Sequence, residues 1–200
     1  AWQAALRNTD GTEFVVGFDL VSEEDTNHKT DDYAKAIIEA NSGVDFYFHD
    51  GESNWVDNDN VHSAWALGTK RIGHGINLYT FPTLMKKIRD DKICLEICPV
   101  SNQMLRYTKD LRIHPIAQFM QQDVQCTICS DDPQIFETAG LSWDLWEVYH
   151  GAMIDLRDIK QLIQNSYRFS AMNETEKAQK LTDWNNKWNT FIEKIQSQLL

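Results

Sequence analysis

Four short polar clusters hold the side chains able to do chemistry. Phe48-His49-Asp50-Gly51-Glu52 sets a histidine and a glutamate three residues apart. Arg71-Ile72-Gly73-His74-Gly75, Cys98-Pro99-Val100-Ser101-Asn102 and Ser130-Asp131-Asp132-Pro133 follow in that order, each just after a short apolar run. His49 is of metal-ligand type, and Asp131 offers a hard oxygen to the same ion. Such a mixed imidazole and carboxylate shell suits zinc with one position open for water. Glu52 and His74 then read as the acid–base pair around a metal-activated hydroxide. Asp132 points away from Asp131 if a strand alternates their side chains, which leaves it free to bind a substrate nitrogen. A lone strand-end histidine or an Asp-Asp-Pro turn is more often structural. The ordered set of four is far more specific than any member.

The elements that must position these clusters follow from pattern. Phe14 to Leu20, Val44 to His49, Lys70 to Gly73, Ile93 to Ile97 and Val124 to Ser130 read as buried strands, rich in β-branched and aromatic residues. Helices are expected over 31–40, 57–67, 81–90 and 114–122, with Pro82 tolerated in a first turn. The tail is helical over 142–153, 156–169 and 174–200. Its last helix carries Trp184, Trp188, Phe191 and Ile195 at three- and four-residue spacing, a packing stripe rather than a ligand box. Five strands each followed by a helix imply parallel β-α units. A doubly wound sheet could hold five strands. The polar residues fall at the C-terminal ends of four of them, and that favours a barrel, which gathers all such ends on one face.

Composition excludes some classes. Two hundred residues with 42% hydrophobic content suffice for one core. The net charge is −11 and no Lys/Arg run occurs, which argues against a nucleic-acid or membrane surface and is neutral toward small substrates. No apolar stretch approaches the length of a membrane span. Cys94, Cys98, Cys126 and Cys129 read as small core residues; the C-x-x-C at 126–129 sits in a strand pattern rather than at a helix start.

The four motifs in this order and spacing resemble the adenosine deaminases. The stretches Leu95 to Gln103, Asp110 to Pro115 and Ala139 to Asp144 look most like the adenosine deaminase-related growth factor subfamily, secreted deaminases, rather than AMP deaminase. The resemblance runs from about Phe14 to about Ser170. It implies a (β/α)8 TIM barrel of the metal-dependent hydrolase type, of which this chain holds strands four to eight. It also implies hydrolysis of the 6-amino group of adenosine or 2'-deoxyadenosine, giving inosine and ammonia with one zinc ion. Matched position by position, His49 and Asp131 are metal ligands. Glu52 passes a proton to the purine ring, His74 orients and deprotonates the water, and Asp132 contacts water and the purine N7. Ser22 stands where the family has a glycine whose N–H touches the purine. Asp50 replaces a small residue and, if close, should raise the pKa of Glu52.

The family's first strand supplies two more zinc ligands from a His-x-His pair, and no His-x-His occurs in this sequence. The expectation is therefore a C-terminal part of one catalytic domain, with strands one to three lying before Ala1. Alone it should be unstable and inactive, with two open sheet edges. The resemblance further implies a secreted homodimer joined through an N-terminal extension, taking a purine nucleoside. A cytoplasmic or lysosomal location is the alternative. For function, the alternatives are a catalytically inactive adenosine-binding growth factor and a deaminase of another 6-aminopurine.

Overall fold

The computed structural model describes residues 15–26, 28–40, 43–55 and 57–199. Phe14 and Leu200 of the expected first strand and last helix lie outside them, as do residues 1–12, whose Asn-Thr-Asp-Gly reads as a polar loop, and Ser42, which reads as part of a turn. Among the described residues five strands form one parallel sheet: β1 Gly17–Phe18, β2 Asp45–Asp50, β3 Arg71–His74, β4 Cys94–Ile97 and β5 Cys126–Ile128. Their spatial order is their chain order. That order decides between the two architectures. A doubly wound sheet reverses direction and leaves its first strand internal, whereas right-handed crossovers that always step the same way put every connecting helix on one face. This is the winding of a barrel wall.

The helices follow from local signals. Among the described residues they are α1 Ala34–Ala40, α2 Asn60–Ala66, α3 Pro82–Asp90, α4 Pro99–Met104, α5 Ile116–Gln121, α6 Leu141–Gly151, α7 Leu156–Arg168 and α8 Glu174–Leu199. The helix expected from residue 31 opens as a 3-10 turn over Thr30–Tyr33 before α1 begins. Helix α4 is an addition: no helix is expected from the sequence between Ile97 and residue 114, yet Pro99 begins one at its first position. Proline suits that place because its missing N–H would have no helical partner there. Asp155 caps α7, accepting from the N–H groups of Arg157 and Asp158 at 2.7 and 3.2 Å. Asn173 does the same for α8, accepting from the Glu176 N–H at 2.9 Å.

One face of the sheet and the helices share the core. Phe48, Ile72, Leu95 and Ile97 are fully buried together with Val61 and Ala64 of α2, Ile88 of α3, Ile116 and Phe119 of α5 and Leu162 of α7. Each such aliphatic or aromatic side chain contributes about 1.5–3 kcal/mol of burial. Cys94, Cys98 and Cys126 are buried and all four cysteines are free, as core residues would be. Helix α8 has no fully buried residue. It lies along α7, where Gln164 donates to Asn185 at 2.8 Å and the Lys160 ammonium stands 5.8 Å from the Trp188 ring centre.

Candidate active site

Strand pairing brings the clusters side by side. His49 of β2 is in register with Gly73 of β3, and Asp50 with His74. The His49 ring lies across the Gly73 Cα: a Cβ there would sit 2.7 Å from the ring carbons Cδ2 and Cγ. Glycine in Arg-Ile-Gly-His-Gly is thus the space the histidine occupies. At the end of β2, Gly51 turns the chain with φ of 73°. His74 and Asp131 end β3 and follow β5 in the same left-handed conformation, with φ of 61° and 53°. That region costs a non-glycine residue on the order of 1–3 kcal/mol, although His and Asp enter it more readily than most. The result is convergence. Ligand-type atoms of Glu52, His74 and Asp131 all lie within 4.8 Å of one another, and His74 Nε2 is 3.6 Å from Glu52 Oε1.

The remaining expected residues are placed differently. His49 is next to His74, ring centres 5.4 Å apart, but stands outside that three-residue group. Asp132 is exposed, and its carbonyl accepts from the N–H groups of Ile135 and Phe136. Ser22 lies in the exposed loop after β1. Asp50 points away from the site. It is 1% exposed and accepts from the Thr30 hydroxyl, and burial pushes its carboxyl up to about 8.

Electrostatics separate the two acid–base groups. Burial, with the Asp131 and Glu24 carboxylates nearby, raises Glu52 to about 7, so a proton is available there near neutral pH. The rise was expected from Asp50, but the main causes are burial, Asp131 and Glu24 instead. Burial depresses the His74 imidazole well below its usual value. His49 is raised, chiefly by Asp19. Asp19 Oδ2 is 2.8 Å from His49 Nδ1 but poorly aligned, so Nδ1 has no hydrogen bond of good geometry.

Three groups escaped the sequence reading. Glu24 spans the β2 turn, accepting from the Gly51 and Glu52 N–H groups at 2.8 Å each and from Asn58 Nδ2 at 2.6 Å. Asp19 backs His49. Asn102 and His114 stand behind His74, with Asn102 Nδ2 3.4 Å from His74 Nδ1. The run of acids at 23–25 was visible, but nothing in its spacing says that one of them folds back 27 residues onto a strand end.

Comparison with known proteins names the arrangement. Residues 3–187 match the family described as adenosine deaminase. The chain belongs to the adenosine deaminase family. It is 37% identical over 193 residues to an adenosine deaminase of Phlebotomus duboscqi and 41% identical over 187 residues to adenosine deaminase 2 of Homo sapiens. These matches cover 94% and 89% of this chain but 37% of each relative, so the chain spans little more than a third of their length. A Burkholderia ambifaria amidohydrolase crystallised with bound zinc superposes with a TM-score of 0.83 at 18% identity, over 98% of this chain and 53% of that one. The likeness shows the fold: this sheet is part of a barrel wall.

Proposed function

We propose that the longer protein to which this chain belongs is a zinc-dependent deaminase of adenosine and 2'-deoxyadenosine, and that these residues form the C-terminal part of its catalytic barrel. The observation that carries the reading is Glu52: a half-buried carboxyl that keeps its proton up to about pH 7, 3.6 Å from His74 and grouped with Asp131 where parallel strands end. Hydrolysis at purine C6 needs a proton delivered to the ring as water adds, and a general acid with such a pKa suits that step. His74 orients the attacking water. Asp132 and the Ser22 backbone contact the purine, and Glu52 holds its ring nitrogen.

The donor set fits zinc in kind. His49 and Asp131 offer an imidazole and a carboxylate, and the Asp19 carboxylate at Nδ1 leaves the other ring nitrogen of His49 for a metal. Zinc, when bound, supplies an acidified water. Two further ligands come from the parent's remaining strands, which also close the sheet beyond β1. Secretion, a homodimeric parent and the growth-factor keyword are proposed on the family resemblance. Among the described residues no helix is long and apolar enough to cross a membrane. Adding adenosine to the zinc-loaded parent and following the ultraviolet change from a 6-aminopurine to hypoxanthine tests the reading. Deamination is expected; an unchanged spectrum with zinc bound would favour a non-catalytic relative.

A further inference from the structure

Behind His74 lies a dry chain of hydrogen bonds that no acid–base role uses. The Ile116 N–H donates to His114 Nδ1 at 3.1 Å. A backbone N–H is a donor only, so His114 Nδ1 is a bare acceptor and the ring's proton sits on Nε2. That Nε2 is 3.2 Å from Asn102 Oδ1, which must accept it. The amide is thereby fixed, with its NH2 turned toward His74 Nδ1 at 3.4 Å. His74 Nδ1 must accept in turn, and its proton is left on Nε2, the nitrogen 3.6 Å from Glu52 Oε1. The three side chains are 4%, 0% and 2% exposed for His114, Asn102 and His74, so water offers no alternative partner. Burial alone pushes His114 down to about 4, which keeps it neutral and the direction of the chain intact.

We propose that Asn102 and His114 are positioning residues that lock His74 in the tautomer protonated on Nε2. The lock presents an N–H toward Glu52, where the oxygen of an attacking water would stand, while the lone pair faces Asn102. His74 then orients that oxygen by donating to it. Acceptance of the water's proton, the part the family resemblance implies for His74, needs the opposite tautomer, which the relay opposes. The proposal rests on the deaminase reading of this site for its consequence in turnover, but not for the tautomer itself.

Two measurements on the full-length, zinc-loaded parent test it. Neutron diffraction should place hydrogen on Nε2 of both His74 and His114 and the Asn102 NH2 toward His74. Hydrogen on His74 Nδ1, or a reversed amide, overturns the proposal. This map needs no turnover, so a parent that leaves adenosine untouched would sink the function and still leave the relay decided. Asn102→Asp replaces the donor with a second acceptor and so reverses His74. Its kcat should fall about 10²–10⁴-fold, the scale set by a wrongly protonated catalytic imidazole, with zinc content and KM little changed. Wild-type kcat, or a loss confined to KM, overturns the proposal.

Discussion

At the end of β3, His74 is 2% exposed, and the asparagine and histidine behind it are as dry. At β1 the equivalent positions are open: Phe18 is 39% exposed, and the Asp19 side chain that backs His49 is 40% exposed. Beside β1, Phe18, Leu20, Tyr33, Ile37 and Phe46 line an apolar groove of about 280 Å³. Both regions flank the strand ends where Glu52, His74 and Asp131 converge, yet only the first is packed on both sides. The difference is one of packing. Strand β3 has neighbours on both edges and helices against its face, so its left-handed end is over-determined. Among the described residues, strand β1 pairs on one side only, with two residues in the ladder. Groups at β3 are therefore preorganised here, whereas those around His49 need further covering strands to reach the same rigidity.

Among changes that probe this contrast in packing, the largest effect should come from filling the space that Gly73 leaves for the His49 ring. In the parent, Gly73→Ala puts a Cβ against the His49 ring, and the ring must move off the strand end. Turnover is expected to fall about 10²-fold, as for a misplaced catalytic group. Zinc analysis should show weakened metal binding, and a variant with unchanged zinc and kcat would refute the crowding argument. Next comes the support of the dry half. Asp144 of α6 accepts from the Val100 N–H at the start of α4, at 3.2 Å, and is fully buried. Asp144→Ala strands that donor and should cost about 1–3 kcal/mol in chemical denaturation of the parent.

A smaller effect probes the open half. If further strands cover the β1 groove in the parent, Phe18→Ser there costs about 1.5–3 kcal/mol of burial. If the edge stays bare, the change falls within about 0.5 kcal/mol. The smallest concerns pH. Glu52 donates only when protonated, and its pKa is raised to about 7. Its contribution is thus complete well below that value and is lost as pH rises through it, so kcat/KM of the parent should decline on the alkaline side. Glu24→Gln removes one of the negative neighbours that raise Glu52 and should move the decline to lower pH, by less than about one unit. A shift to higher pH would contradict the assigned cause.

Much of this architecture was legible because periodicity and motif position report the same thing. Apolar runs marked β2 to β5, and polar clusters at their ends marked one face. What stayed hidden depends on contacts distant in sequence. Glu24 reaches the Gly51 and Glu52 amides, Asp144 caps α4, and His114 addresses His74 through Asn102; no local pattern encodes such pairings. Asp50 shows the opposite error. Its neighbours suggested a charge beside Glu52, but strand alternation turns it to the other face, where it is buried and protonated at neutral pH.

The role proposed for Glu52 is that of proton donor in a zinc-dependent deaminase site. Its most direct test compares adenosine turnover and zinc content in the parent and in its Glu52→Gln variant. Bound zinc is expected in both, and turnover only in the first. Equal turnover in the two would contradict it.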